Sequence, residues 1–254
     1  MEACIKIIKV KNLGLKVENI VIKNESIFQH LKKHSVHNDY CYGILSFHSR
    51  NKLSFIKLGN FSSEAVVKKR NNLSFLSPFL LGIFFKFSIK FTHRLVYSLL
   101  TILYRKRYYK KQVHLNDYLY TYNNSLNYME GVQVHYVVRE ADSENAFSKI
   151  SNLIKSSEST INLIVIKYFT DCDTKYLSFP QNGFAVSIDF KSSKNIKPLI
   201  KDMIDTVIDF NGRIYLAKDS NLSKDQFAEI FNKEEFREVV IKYNNTMKFR
   251  SDAA

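Results

Sequence analysis

The chain has 254 residues, which is long enough to bury a substantial core. Hydrophobic residues make up 45% and charged residues 24%, a globular composition that argues against intrinsic disorder. With only 7 glycines, it is not expected to contain a complete nucleotide-binding domain, because phosphate-cradling loops need glycine for close backbone approach. The net charge of +14 reflects either a lysine-rich composition or an anionic partner, and the lack of zinc-finger, ribonucleoprotein or heptad patterns favours a membrane surface or phosphate-bearing substrate over nucleic acid.

Residues 1–61 are predicted to form the first part of a domain, in the order strand, helix and hairpin. Asn24 is the predicted N-cap of a helix over residues 27–33. Alternating apolar and polar residues predict the strands, with the last two forming a hairpin: 5–11, 18–23, 40–47 and 52–58.

Residues 62–130 are predicted to be an irregular, basic and hydrophobic mobile segment. Its stretch 75–104 is rich in Phe and Leu, but Lys86, Lys90 and Arg94 interrupt it, so no run is long enough to span a bilayer. The three cations lie on one helical face. This favours either a helix lying in a membrane interface, which would give peripheral contact at the inner face of a membrane, or an amphipathic helix packed on the core with its lysines outward.

Residues 131–254 are predicted to form a βαββαβ domain. A capping box of Ser223 and Gln226 predicts the start of the first closing helix. The element order predicts an α+β fold, with helices on one face of an antiparallel sheet in the ferredoxin-like pattern. Strands are predicted at 132–139, 160–169, 183–190 and 212–217, and helices at 143–156, within 192–210, and at 223–231 and 233–242.

The strands of this domain share one polar face. Side chains alternate along a strand, so the face opposite the apolar one carries Gln133, His135, Ser187, Asp189 and Tyr215. The face either meets water, as in many antiparallel sheets, or forms a site.

Two further features favour a site. The strand at 160–169 is apolar on both faces, which predicts that it is covered on both sides. It ends in Lys167, and Lys218 follows the last strand, so two cations could reach the polar face.

The cysteines predict a reducing compartment. Cys4, Cys41 and Cys172 are widely separated and have no metal-ligand spacing. Because of this spacing, no metal site is expected. The N-terminal residues have no apolar segment of a secretory signal, so a cytoplasmic location is predicted.

The motifs of residues 131–254 closely resemble the C-terminal cap domain of FAD-linked oxidases of the decaprenylphosphoryl-ribose oxidase type, relatives of the aldonolactone oxidases with the vanillyl-alcohol oxidase fold. Residues 1–61 resemble the start of that domain more weakly, and 62–130 its mobile segment near the lipid-linked substrate. The matching motifs are Gly131-Val-Gln-Val-His-Tyr136, Val165-Ile-Lys-Tyr-Phe169, Leu177-Ser-Phe-Pro180, Gly183-Phe-Ala-Val-Ser-Ile-Asp-Phe190, Gly212-Arg-Ile-Tyr-Leu-Ala-Lys-Asp-Ser220 and Phe249-Arg-Ser-Asp-Ala-Ala254.

The resemblance implies oxidation of the 2-hydroxyl of a polyprenyl-phosphoryl ribose, a cell wall polysaccharide precursor, with FAD as cofactor. A short-chain reductase would then complete an epimerisation. Lys218 and Tyr215 are the implied catalytic residues, because Lys218 would contact substrate or flavin and position the hydroxyl. A lysine near the flavin would also stabilise negative charge on its ring. The remaining implied site residues lie beside the flavin or substrate: Gln133, His135, Lys167, Ser187 and Asp189.

The sequence also departs from the family pattern. Ser187 stands where the family often has Cys, Ala185 where it often has Asn, and His135 where it has a second Gln. The FAD-binding domain is expected on a separate chain or to be missing, so that FAD would be bound mainly elsewhere and the chain would be inactive alone. Two alternatives remain: a fragment of an aldonolactone oxidase, whose His-Trp-x-Lys signature is absent, and a non-catalytic remnant or binding module.

Overall fold

The computed structural model describes residues 14–47, 53–61, 108–112, 131–157, 159–172, 177–191, 193, 196–218, 222–231 and 233–244. These residues fall into two compact units. The first holds residues 14–43, 53–61 and 108–112, and the second holds residues 44–47 and those from 131 onward. The predicted strand at 5–11 and the hydrophobic stretch 75–104 lie outside the described residues.

The first unit is a sheet with one helix. Its strands lie in the order β4-β1-β3-β2, and β1 is antiparallel to both β3 and β4. The prediction missed β4, which falls in the segment expected to be irregular. This strand is held by backbone pairing to β1, which does not require an alternating side-chain pattern. The elements are β1 (Gly14–Lys23), α1 (Ile27–Ser35), β2 (Tyr40–Leu45), β3 (Leu53–Phe61) and β4 (Tyr108–Gln112). The last two residues of β2 are assigned to the second unit.

The predicted N-cap of α1 is wrong. A 3-10 turn, Asn24–Ser26, precedes the helix, and Ser26 occupies the cap position without a side-chain cap bond. The side-chain oxygen of Asn24 instead accepts a hydrogen bond of 2.6 Å from the hydroxyl of Ser54. Ser54 is fully buried and needs an acceptor, so it takes the oxygen that the helix would otherwise use.

The second unit has the predicted βαββαβ order. Its strands lie in the order β6-β7-β5-β8, and every described pair is antiparallel. The predicted α+β fold class, an antiparallel sheet with helices, is confirmed. The elements are β5 (Gly131–Arg139), α2 (Ser143–Ser156), β6 (Ile161–Phe169), β7 (Gly183–Lys191), α3 (Ile196–Asp209), β8 (Arg213–Ile214), α4 (Lys224–Ile230) and α5 (Lys233–Tyr243).

The core of this unit lies between the sheet and helices α2 and α3, which pack on each other and on β5. Because side chains alternate along a strand, the even-numbered residues of β5 and β7 point into this core and the odd-numbered ones point away from it. Among the most deeply buried side chains of the core are Tyr136, Ile150, Ile188, Met203 and Val207, each 0% exposed.

The last strand is shorter than predicted. Pairing with β5 covers only Arg213 and Ile214, and the chain then enters a 3-10 turn, Leu216–Lys218. Lys218 closes this turn by donating its backbone N–H to the carbonyl oxygen of Tyr215 at 3.0 Å. The predicted capping box of α4 is confirmed, since Ser223 and Gln226 bond reciprocally.

Candidate functional site

Strands β5 and β7 bring the predicted polar residues together on the face away from the helices. The antiparallel register sets Gln133 opposite Asp189 and His135 opposite Ser187. On the other side of β7, the register sets Val165 of β6 opposite Ser187. We refer to this surface as the site face, made of Gln133, His135, Leu163, Val165, Lys167, Ser187 and Asp189.

Tyr215 and Lys218 reach the same face from the end of β8. The backbone N–H of Tyr215 donates to the carbonyl oxygen of His135 at 2.8 Å, and the two rings meet edge to face with centroids 5.2 Å apart. Lys218 is exposed, and its charge acts on both His135 and Asp189. The structure therefore places all seven residues named by the sequence analysis around one surface.

The carboxyl group of Asp189 is held by Gln133, whose side-chain N–H₂ group donates to its Oδ1 atom. Burial raises the pKa of Asp189, while the hydrogen bond from Gln133 and the charge of Lys218 partly oppose that increase. The group is thus a stronger proton acceptor than an ordinary surface aspartate, and its orientation is fixed.

The imidazole of His135 is neutral at physiological pH. Burial, with smaller contributions from the positive charges of Lys167 and Lys218, lowers its pKa to about 4. A neutral imidazole can donate one hydrogen bond and accept another. The positive charge of the site face therefore comes from the two lysines, both of which are exposed.

A loop residue that the sequence analysis did not assign to the site packs directly on it. Phe179 is 9% exposed, and its ring centroid lies 4.8 Å from that of His135 and 5.0 Å from that of Tyr215. It forms an apolar cluster with Val137 and Ala185. No periodic signal in the sequence marks Phe179, because its position depends on the hydrogen bonds of the loop that carries it.

Two side chains fix the loop that carries Phe179. Arg213 donates from its guanidinium group to the carbonyl oxygen of Ser178. Gln181 donates from its side-chain amide to the carbonyl oxygens of Val137 at 3.3 Å and Asn211 at 3.4 Å. One end of the site face is thereby covered by the loop.

The other end of the face stays partly open. Ile164 and Ile166 of β6 are fully buried, but Leu163 and Val165 on the opposite side of the strand are only half-buried. The expectation that this strand is covered on both sides therefore holds for the face toward the helices and only in part for the other face. The alternation of the strand places these two apolar side chains on the same surface as the polar residues.

No protein-family model matches the chain. Fold and geometry define an α+β protein whose second unit has a ferredoxin-like arrangement. The site face of this unit combines two cations, a neutral imidazole and a hydrogen-bonded carboxyl group. Within the described ranges, no group of three or more His, Cys, Asp or Glu side chains is arranged to hold a metal ion. None of the helices in those ranges is long and apolar enough to cross a bilayer.

Proposed function

We propose that the second unit is the substrate-side wall of an FAD-dependent oxidoreductase that oxidises a sugar hydroxyl, with a polyprenyl-phosphoryl ribose-like substrate. The observation that carries the proposal is the grouping of Lys167, Lys218, His135 and Asp189 on one half-open sheet face. A short-chain reductase would act on the product to complete an epimerisation.

The residues of the site face suit one side of an isoalloxazine ring. Leu163 and Val165 offer half-buried apolar contact, and Tyr215 adds an aromatic edge. FAD, when bound, would accept the hydride from the carbinol carbon. The glycines of the chain are scattered singly, so the pyrophosphate of FAD would be held mainly by a domain outside this chain.

The cations and the carboxyl group would have separate roles in positioning the substrate, accepting its proton and stabilising negative charge. Lys218 and Tyr215 would position the sugar hydroxyl, and Asp189 would accept its proton, since burial raises the pKa of this carboxyl group and Gln133 orients it. The positive charge of Lys167 would favour negative charge developing at the ring or on the alkoxide. His135, being neutral, would hold a substrate hydroxyl without adding charge.

The proposal is tested by co-expressing this chain with the product of the gene immediately upstream and purifying through a tag on this chain. Flavin absorbance co-eluting with both polypeptides is the expected result. In that complex, Lys218→Ala should abolish turnover, while Lys155→Ala on the exposed side of α2 should leave it unchanged. A colourless chain that elutes alone would instead support a non-catalytic remnant or binding module.

We further propose a cytoplasmic location with peripheral membrane contact through residues 75–104. The net charge of +14 and the row of Lys86, Lys90 and Arg94 support this proposal. The chain should co-sediment with phosphatidylglycerol vesicles at low salt, and the double change Lys86→Glu with Lys90→Glu should abolish co-sedimentation. Equal binding to purely phosphatidylcholine vesicles would contradict an electrostatic contact.

A further inference from the structure

We infer that Phe179 is a specificity-determining residue that closes one end of the site face and limits the length of a ring system that can lie beside His135 and Tyr215. The inference rests on the proposed function only in taking the site face as a ligand-binding surface. It concerns the shape of that surface and not the chemistry performed there.

The first argument is the space that Phe179 fills. Val137 and Ala185 lie opposite each other in the register of β5 and β7, on the same side of the sheet as His135. The side chain of Ala185 is a single methyl group. The sheet would therefore carry a depression above Ala185 if no other side chain filled it. The phenyl ring of Phe179 packs against both residues and is itself 9% exposed.

The second argument is that the ring is fixed in place. The guanidinium of Arg213 holds the carbonyl group of Ser178 on one side of Phe179, and Gln181 bonds to Val137 and Asn211 on the other. Moving the ring off the sheet would break hydrogen bonds on both sides at once. Phe169, with its centroid 6.5 Å away, limits movement toward β6.

The third argument is the contrast between the two ends of the face. Toward Asp189, the side chains of Leu163 and Val165 remain half-buried, so that end can accept a ligand. Toward Ala185, the ring of Phe179 occupies the corresponding layer above the sheet. A planar ligand that enters at the open end would meet the edge of Phe179 after passing His135.

The test uses indole as a bicyclic apolar probe and the whole chain carrying Phe179→Ala. An engineered cavity with an apolar lining stays dry and can bind a small aromatic molecule such as benzene. We expect saturable indole binding to the variant, about tenfold tighter than to the unchanged protein. The ¹H–¹³C NMR shifts should be confined to the neighbours of Phe179, which are Val137, Phe169, Ala185 and the rings of His135 and Tyr215.

Phe227→Ala is the matched control, because Phe227 belongs to an aromatic pair with Phe231 whose centroids lie 5.2 Å apart on another part of the unit. It should produce no shift at Ala185 when indole is added. Should Phe179→Ala fail to fold, Phe179→Leu decides, with indole expected to bind more tightly to this variant than to the unchanged protein. Equal affinity in the unchanged protein and the folded variant, or shifts away from these neighbours of Phe179, would overturn the inference.

The indole experiment needs neither flavin nor a partner chain. A failed flavin reconstitution with successful indole binding would therefore reject the proposed oxidoreductase and keep the role of Phe179 in shaping the face. Flavin reconstitution with no gain of indole binding would keep the proposed oxidoreductase and reject the role of Phe179. In a reconstituted oxidase, Phe179→Ala should change the ratio of kcat/KM between bulky and compact hydroxyl substrates by about tenfold in favour of the bulky one.

Discussion

The side-chain amide of Gln133 on β5 donates a hydrogen bond to the carboxyl group of Asp189, directly opposite on β7. The pair lies on the sheet face away from the helices, where Asp189 is partly withdrawn from water. A hydrogen bond to the ionised form of a buried carboxyl group offsets part of the cost of burial. Gln133 therefore controls both the orientation and the basicity of the only carboxyl group that the sequence analysis assigned to this face.

Replacing Gln133 with Leu should raise the pKa of Asp189. The variant removes the hydrogen bond that opposes the effect of burial, and the charge of Lys218 alone would remain to oppose it. Loss of the donor should also cost about 1–3 kcal/mol of stability near neutral pH. That loss should shrink as pH falls through the pKa of Asp189, because the protonated carboxyl group no longer needs the donor. A ¹³C NMR titration of the carboxyl group checks the pKa, and an unchanged midpoint would contradict the role given to Gln133.

The stability of the protein should depend on pH through His135. Its pKa is about 4 in the fold against an ordinary value of 6.5, so the unfolded chain takes up the proton first as pH falls. The stability that depends on a neutral His135 is present above pH 6.5 and is lost as the pH falls toward about 4. Urea unfolding across this range should show a smaller loss for His135→Gln than for the unchanged protein.

His34 in the first unit provides the control variant for the urea unfolding of His135→Gln. The pKa of His34 in the first unit is also lowered, chiefly by burial, so it adds a dependence of the same sign. His34→Gln should remove its own contribution and leave that of His135 in place. Identical pH profiles for the unchanged protein and His135→Gln would contradict the neutral imidazole.

Both lysines of the site should lower the pKa of His135. Both charges oppose protonation of the ring, so Lys167→Met and Lys218→Met should each raise the pKa of His135. Neither change should restore it to 6.5, because burial is the largest cause of the lowered pKa. The ¹H–¹⁵N NMR titration of the imidazole measures these shifts, with Lys155→Met as a control outside the site. A shift in the control as large as in the variants would show that the lysines do not act locally.

The strands and helices of the second unit were predictable because each carries a clear periodic signal. The alternation in β5 and β7 was enough to predict that Gln133, His135, Ser187 and Asp189 share a face. The same pattern could not reveal how a neighbouring loop folds. The motif Leu177-Ser-Phe-Pro180 gives no role to Phe179, since the position of this residue depends on hydrogen bonds from Arg213 and Gln181 that no local pattern encodes.

Two errors of prediction originate in contacts between distant parts of the chain, and a third originates in a local turn. Asn24 has the residue type of a helix cap, but the buried hydroxyl of Ser54 from a distant strand takes its side-chain oxygen. Strand β4 has no alternating pattern and is held by backbone pairing to β1. Residues 212–217 favour a longer strand, whereas the backbone bond between Lys218 and Tyr215 turns the chain early.

The connection from α3 to β8 precedes Tyr215 and Lys218 of the site. It should tolerate little change at Gly212. A Cβ atom there would lie 2.7 Å from the carbonyl oxygen of Val137 and 2.7 Å from a methyl carbon of Val207. Gly212→Ala should therefore destabilise the fold by about 1–3 kcal/mol, since overpacking forces backbone shifts. Urea unfolding followed by circular dichroism measures the change.

The preceding residue provides the matched comparison for Gly212. Asn211 has a φ of 51°, in the left-handed region that glycine adopts without steric cost. Asn211→Gly keeps the backbone carbonyl that accepts from Gln181 and should change stability by only about 0.5 kcal/mol. Since the two positions are adjacent, a general sensitivity of the connection would affect both variants alike. Equal destabilisation by Asn211→Gly and Gly212→Ala would thus show that the loss does not come from the close approach of α3 to β5.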